Sequence, residues 1–95
     1  MKIKSTVIEK YMELCPKSSA KCNSFSEIED KIIRAIHMGK RTILDAKSYR
    51  VNYYHNCFIV KSMKVVDMYK DVENQYHVAE HLKREYDAEV LKVVI

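Results

Sequence analysis

Residues 24–39 constrain the fold most, because they read as one amphipathic helix with a marked start and end. Apolar side chains recur along this segment at helical spacing, at Phe25, Ile28, Ile32, Ala35 and Ile36. Ser24 and Glu27 have the spacing of a capping box, and Gly39, the only glycine of the chain, stands where a left-handed C-terminal cap is expected. A helix with a single apolar stripe needs an apolar partner, so we expect this helix to pack on a sheet.

The residues before this helix are predicted to form a second helix and a loop. Residues 5–15 repeat apolar side chains at helical spacing, and Pro16 follows them as a stop signal. Residues 1–4 alternate in character, which leaves a short strand open. Residues 16–24 are polar and indicate a loop.

The middle of the chain changes to β-type residues. A first strand is expected at 41–47, and two more at 48–54 and 57–63. The last two are predicted to form a hairpin that turns at His55 and Asn56, because Asn tolerates the left-handed conformation that such a turn requires.

The C-terminal part is predicted to contain a helix and a last strand. Helical spacing extends over about 70–86, and residues 89–95 are apolar enough for a central strand. The predicted element order is α-α-β-β-β-α-β, a small two-layer α+β domain with helices packed on a mainly antiparallel sheet. We expect one domain over 1–95, made of an N-terminal helix and loop (1–23) and an α-β-β-β-α-β core (24–95).

Positive charge is concentrated in one third of the chain. The net charge is +4. Residues 40–70 contain seven basic residues, Lys40, Arg41, Lys47, Arg50, Lys61, Lys64 and Lys70, and two acidic ones, Asp45 and Asp67. The same segment contains Tyr49, Tyr53, Tyr54, Phe58 and Tyr69, five of the nine aromatic residues. This asymmetry favours an anionic partner.

The predicted hairpin turn arranges part of this charge on one face. It places Arg50 directly opposite Lys61, with Tyr54 on the same face, while Tyr53 and Phe58 fall on the apolar face. Like charges in direct opposition destabilise a sheet unless an anion, or a neighbouring acid such as Asp45, lies nearby. The candidate binding residues are Lys47, Arg50, Tyr54, Lys61 and Lys64, which would hold phosphate or carboxylate groups and stack on a base.

No metal site, cofactor or catalytic residue is predicted. The segment 77–81, HVAEH, resembles the H-x-x-E-H motif of inverted-motif zinc peptidases, but the predicted helix turns both His77 and His81 towards solvent. The three cysteines, Cys15, Cys22 and Cys57, lack the tight C-x2–4-C pairs of structural zinc sites. We expect them to be free, reduced thiols.

The predicted core order is similar to that of the restriction-endonuclease-like nucleases. Asp45 and Lys47 match the D/E-x-K half of that family's metal motif, and the resemblance would imply a nuclease acting on DNA. The strand at 57–64 that should contribute to the site has no acidic residue. Without paired carboxylates there is no metal to activate water, so a divergent nuclease ranks third among the functions considered.

The favoured function is a non-enzymatic binding module for nucleic acid or a nucleic-acid-handling complex. The alternative is a small phage-type inhibitor, for anti-defence or host takeover, that binds a host protein. The composition, with one glycine, one proline and many Lys, Ile and Tyr residues, is typical of small phage proteins from AT-rich genomes. The chain has neither a signal-peptide pattern nor a membrane-spanning apolar run, so we expect the cytoplasm, or the host cytoplasm for a viral protein. A homodimer is left open.

Overall fold

The chain forms a five-stranded mixed sheet with helices packed on one of its faces. A computed structural model describes the backbone of residues 1–94 and the side chains of residues 1–89. The elements are β1 (Lys2–Ile3), α1 (Ser5–Leu14), α2 (Pro16–Ala20), α3 (Phe25–Met38), β2 (Lys40–Asp45), β3 (Ser48–Tyr53), β4 (Asn56–Lys61), β5 (Lys64–Lys70) and α4 (Glu80–Val94). The spatial order of the strands is β1-β5-β4-β3-β2, and every pair is antiparallel except β1 with β5. The predicted α+β class, with helices on a mainly antiparallel sheet, is confirmed.

Helix α3 begins where the capping pattern predicts. The Ser24 hydroxyl accepts a hydrogen bond from the Glu27 backbone N–H at 3.3 Å, and the Glu27 carboxylate accepts one from the Asn23 N–H at 2.7 Å. These bonds satisfy N–H groups that the first turn of a helix leaves free. Phe25 is 64% exposed, contrary to the prediction, because it occupies the first helical position, one turn before the buried Ile28.

The core lies between α1, α3 and one face of the sheet. Its helical part includes Val7, Tyr11, Ile28, Ile32, Ala35 and Ile36. Its sheet part consists of Val51, Phe58, Val60, Val65 and Met68. Tyr53, expected on this face, packs against the core from its margin. Burying these side chains removes apolar surface from water, which is the main favourable term in folding.

Gly39 is required by close packing and not by a left-handed cap. Its φ of −76° and ψ of 171° are extended, so the predicted left-handed conformation is wrong. A Cβ at this position would overlap the Val51 side chain and lie 2.7 Å from the Asn52 carbonyl oxygen. The missing side chain therefore lets the end of α3 lie directly against β3.

Two N-terminal segments are more regular than their composition indicates. The alternating residues at the N-terminus form β1, which pairs in parallel with β5 and adds an edge strand. Residues 16–20, predicted as part of a loop, form the short helix α2. Pro16 occupies its first position, where the fixed φ suits a helix and the missing N–H needs no partner.

Residues 64–70 form a strand that the sequence patterns did not reveal. β5 pairs with β4 through a two-residue turn at Ser62 and Met63, whose φ values are 48° and 62°. Such turns usually contain Asn or Gly, so this pair gives no turn signal. The predicted helix at 70–86 is wrong in its first half, because residues 71–79 are non-helical and α4 begins only at Glu80.

The predicted last strand at 89–95 is helical as far as it is described. α4 runs through to Val94, and Ile95 lies outside the described residues. Residues 80–89 are rich in strong helix formers, and a helix once nucleated propagates at little cost into the following residues. The Arg34 guanidinium donates two hydrogen bonds of 3.0 Å to the Asp87 carboxylate and so joins α4 to α3. No helix within residues 1–94 is long and apolar enough to span a membrane.

Truncating Ile32 should destabilise the domain strongly, because this side chain is fully buried at 0% exposure between α3 and the sheet. We expect Ile32→Ala to lower the free energy of unfolding by about 2–5 kcal/mol in urea titrations. Glu29→Ala, on the exposed side of the same helix, is the matched control and should change it by less than about 0.5 kcal/mol. Equal stability of the two variants would contradict this core.

Candidate functional site

The face of the sheet opposite the core carries most of its basic side chains. Successive side chains of a strand point to opposite faces of the sheet, so these residues point away from α1 and α3. We call this surface the open face, formed by Lys2, Lys40, Thr42, Ser48, Arg50, Asn52, Cys57, Ile59, Lys61, Lys64 and Tyr69, together with the two acidic residues Asp45, opposite Ser48, and Asp67, opposite Ile59. Among the described residues, only the segment 71–76 covers part of it, near Asn52.

The β3–β4 hairpin has the two faces that were predicted, but its strands pair in a different register. The turn residues are Tyr54 and His55, so Arg50 opposes Ile59 and Lys61 opposes Ser48. The predicted opposition of Arg50 and Lys61 is therefore wrong. The register moved by two positions along β4, and a shift of two preserves the face of every side chain. Arg50 and Lys61 consequently share the open face as diagonal neighbours.

Three lysines on neighbouring strands occupy one row of the sheet. Lys61 opposes Lys64 across the β4–β5 hairpin, and Lys64 opposes Lys2 across the parallel pair. We call Lys2, Lys61 and Lys64 the lysine row; all three are exposed. Strands lie about 4.8 Å apart, so the row spans roughly 10 Å. Like charges in direct opposition destabilise a sheet, by up to about 1 kcal/mol per pair.

The turn between β2 and β3 places Lys47 next to this row. The Lys47 carbonyl oxygen accepts a hydrogen bond of 2.9 Å from the Ser62 N–H, which joins the two turns at this end of the sheet. Asp45 is the nearby acid. The Lys47 backbone N–H donates to its carboxylate at 2.9 Å, and this bond holds the pKa of Asp45 below its ordinary value, with a smaller contribution from the positive charge of Lys61.

Arg50 extends the positive charge towards the middle of the open face. Its Nε is buried, and no hydrogen-bond acceptor among the described residues reaches it. A buried guanidinium nitrogen without a partner costs free energy, so a native structure normally supplies an acceptor there. An acceptor that reached this nitrogen would remove that cost.

Tyr54 lies apart from these basic residues and has a structural position. It adopts a φ of 53° in the hairpin turn, and its backbone pairs with that of Tyr76. Its ring meets Tyr53 edge-on at 4.7 Å between centroids and His77 at 5.0 Å, and the Lys83 ammonium lies 4.5 Å from its centre. The ring faces are therefore largely occupied by the protein itself.

Tyr69 is the aromatic residue that the open face does present. It opposes Cys57 on β4 and is 40% exposed. Its hydrogen bond with the Cys57 thiol raises the pKa of Tyr69, and burial raises the pKa of Cys57, so both groups stay neutral at physiological pH. Sequence reasoning missed Tyr69 and Lys2 because their place on this face depends on strands β1 and β5, which have weak local signals. It missed Lys40, which opposes Asn52, because the predicted first strand began only at residue 41.

The structure also shows where the histidines and cysteines considered as metal ligands lie. His77 precedes α4 and His81 lies in its first turn, so the two do not share one helical face as predicted. Within residues 1–94, no group of three or more His, Cys, Asp or Glu residues is placed to hold a metal ion. Cys15, Cys22 and Cys57 are free thiols, as predicted.

Comparison of the chain with protein-family models, curated proteins and solved structures gave no significant match.

Removing the Tyr54 ring should lower stability, because its contacts are internal. We expect Tyr54→Ala to reduce the free energy of unfolding by about 1–3 kcal/mol, from the lost aromatic and cation–π contacts, as measured by thermal melting. Tyr54→Phe keeps the ring and should melt close to the wild type. An unchanged melting temperature for Tyr54→Ala would show that the ring is free for a ligand.

Proposed function

We propose that this protein binds nucleic acid through the phosphate groups that its open face would neutralise. The observation that carries the proposal is the lysine row on three adjacent strands, in which Lys64 lies directly opposite both Lys61 and Lys2. Bringing these charges together is unfavourable in the free protein, and a polyanion lying across them would offset the repulsion. Lys47 at the adjoining turn extends the row by one further cation.

The chemistry of these side chains favours binding that is independent of sequence. Lysine ammonium groups on flexible stems act as point charges towards phosphate oxygens and read no base edges. Tyr69 supplies an exposed ring on the same face, on which a base of a single strand would stack. The partner we propose is therefore single-stranded nucleic acid, free or within a nucleoprotein complex.

The proposal is one of binding alone, in the cytoplasm or in the host cytoplasm for a viral protein. No catalytic group is assigned to the open face. Its basic residues neutralise charge, and its Cys57 and Tyr69 side chains, whose pKa values are both raised, stay neutral.

A protein partner is the second candidate, and the β2 edge favours it. β2 lies at one end of the strand order, and its Ile43 and Leu44 side chains are 69% and 49% exposed. An edge strand with apolar side chains is a template for strand addition from another chain. This is the surface that a phage-type inhibitor would use to bind a host protein, or that a homodimer would use to join two copies.

Charge removal in the lysine row should weaken binding and reduce its salt dependence. We expect Lys61→Gln with Lys64→Gln to lower the slope of log affinity against log salt by about 1 for each lysine, measured by fluorescence anisotropy with an oligothymidylate. The fold should be retained, because both side chains are exposed.

The matched control removes two exposed lysines from the helical side, with Lys17→Gln and Lys21→Gln. It has the same net charge as the test variant and should keep the wild-type slope. If both double variants had the same slope, the salt dependence would follow net charge alone and not the position of the lysines. That result would contradict the proposed interface. Pull-down from a bacterial lysate with and without nuclease separates the two candidates, because a partner that survives nuclease is held by protein contacts.

A further inference from the structure

A polar cavity lies at the other end of the open face from the lysine row. Its volume is about 280 Å³, and its walls are the sheet residues Lys40, Arg50 and Asn52 and the segment 73–76. This volume is near the lower limit of small-molecule sites, which are about 300–1,000 Å³. The cavity therefore fits one small ligand or one unit of a polymer.

The covering wall of this cavity is fixed by hydrogen bonds at both of its ends. The Asp71 N–H donates to the His55 carbonyl oxygen at 2.7 Å, and the Tyr76 N–H donates to the Tyr54 carbonyl oxygen at 3.0 Å. Between them, the Asp71 carboxylate accepts hydrogen bonds from the Asn74 backbone and side-chain N–H groups at 3.1–3.2 Å. A wall held in this way is organised before a ligand arrives, which lowers the entropy cost of binding.

The charges at the cavity select an anion. Arg50 and Lys40 are the basic lining residues, and Glu73 is the acidic one. The buried Arg50 Nε lacks a hydrogen-bond acceptor among the described residues. A guanidinium offers parallel N–H donors that match the oxygens of a phosphate or a carboxylate. Arg50 and Lys40 thus give the cavity two cationic groups against the one carboxylate of Glu73, which favours an anionic ligand.

Two further features favour a nucleotide over a bare anion. Tyr76, a residue that is 37% exposed, lines the cavity and supplies a ring on which a base would stack. The amide nitrogens of Asn52 and Asn74 already donate to Asp71, so these two residues offer a base edge their amide oxygens. Arg50 connects the cavity to the lysine row, because it lies two residues along β3 from Ser48, which opposes Lys61. At about 3.3 Å per residue, that separation is roughly 7 Å.

We propose that this cavity binds the terminal nucleotide of a nucleic acid strand, with its terminal phosphate on Arg50 and Lys40. This assignment rests on the proposed function, because the remainder of the strand crosses the lysine row. Such a cavity gives the protein a preference for strand ends that carry a phosphate. Phosphate contacts along the lysine row alone do not provide this preference. Arg50 is then the group that distinguishes an end from the interior of a strand.

The test uses deoxyadenosine monophosphate as the probe, titrated into the full chain and followed by calorimetry. We expect the monophosphate to bind at least about tenfold more tightly than deoxyadenosine or inorganic phosphate, since both the anion and the base contribute. Arg50→Met should lower the affinity for the monophosphate about tenfold. Arg50→Lys should lower it less, because lysine keeps the positive charge but lacks the paired N–H donors of the guanidinium. Lys17→Gln, an exposed lysine on the helical side, is the control and should leave the monophosphate affinity unchanged.

A second titration, with oligothymidylates that carry or lack terminal phosphates, separates this proposal from the proposed function. We expect wild-type protein to prefer the phosphorylated strand, Arg50→Lys to keep part of that preference and Arg50→Met to lose it. Oligonucleotide binding without any monophosphate binding or phosphate preference would overturn the cavity assignment alone. Monophosphate binding without oligonucleotide binding would overturn the proposed function and leave a nucleotide site. Inorganic phosphate binding as tightly as the nucleotide would overturn the nucleotide assignment.

Discussion

The contact between α3 and β3 determines how the rest of the molecule is arranged. Gly39 lets the helix end lie against Val51, and Ile32 fills the space between helix and sheet. Both helices of the core, α1 and α3, pack on this one face, and Val51, Phe58, Val60, Val65 and Met68 of the strands turn towards it. The opposite face is thereby left to polar and basic residues, and the candidate site is a consequence of this one-sided core.

The elements with strong local patterns were predictable from the sequence. Helix α3 follows from its cap and its apolar spacing, and the two faces of the β3–β4 hairpin follow from alternation with a period of two. The register did not follow, because Asn56 attracted the turn assignment while the actual turn holds Tyr54 in a left-handed conformation. That conformation is supported by the backbone pairing of Tyr54 with Tyr76, a tertiary contact with no local signal.

The candidate site was predictable in its composition but not in its geometry. Charge asymmetry identified Lys47, Arg50, Lys61 and Lys64, and the structure brings the three lysines to one end of the open face. Lys2 joins them only through the parallel pairing of β1 with β5, which no local pattern indicates. β5 itself follows a turn without Asn or Gly, so the pairing of Lys61 with Lys64 had no turn signal. The Arg50 cavity depends on the position of the segment 73–76 against β2 and β3, which no local pattern indicates.

The central claim is that the open face, and not the helical side, meets the partner. Amide chemical-shift mapping by NMR with an oligothymidylate tests it directly, because every strand and helix reports at once. If the open face binds the partner, the largest chemical-shift changes should fall at the β4–β5 turn around Ser62 and Met63, in β1, and along β3 near Arg50. Largest shifts in α1 and α3, or confined to the β2 edge, would contradict it.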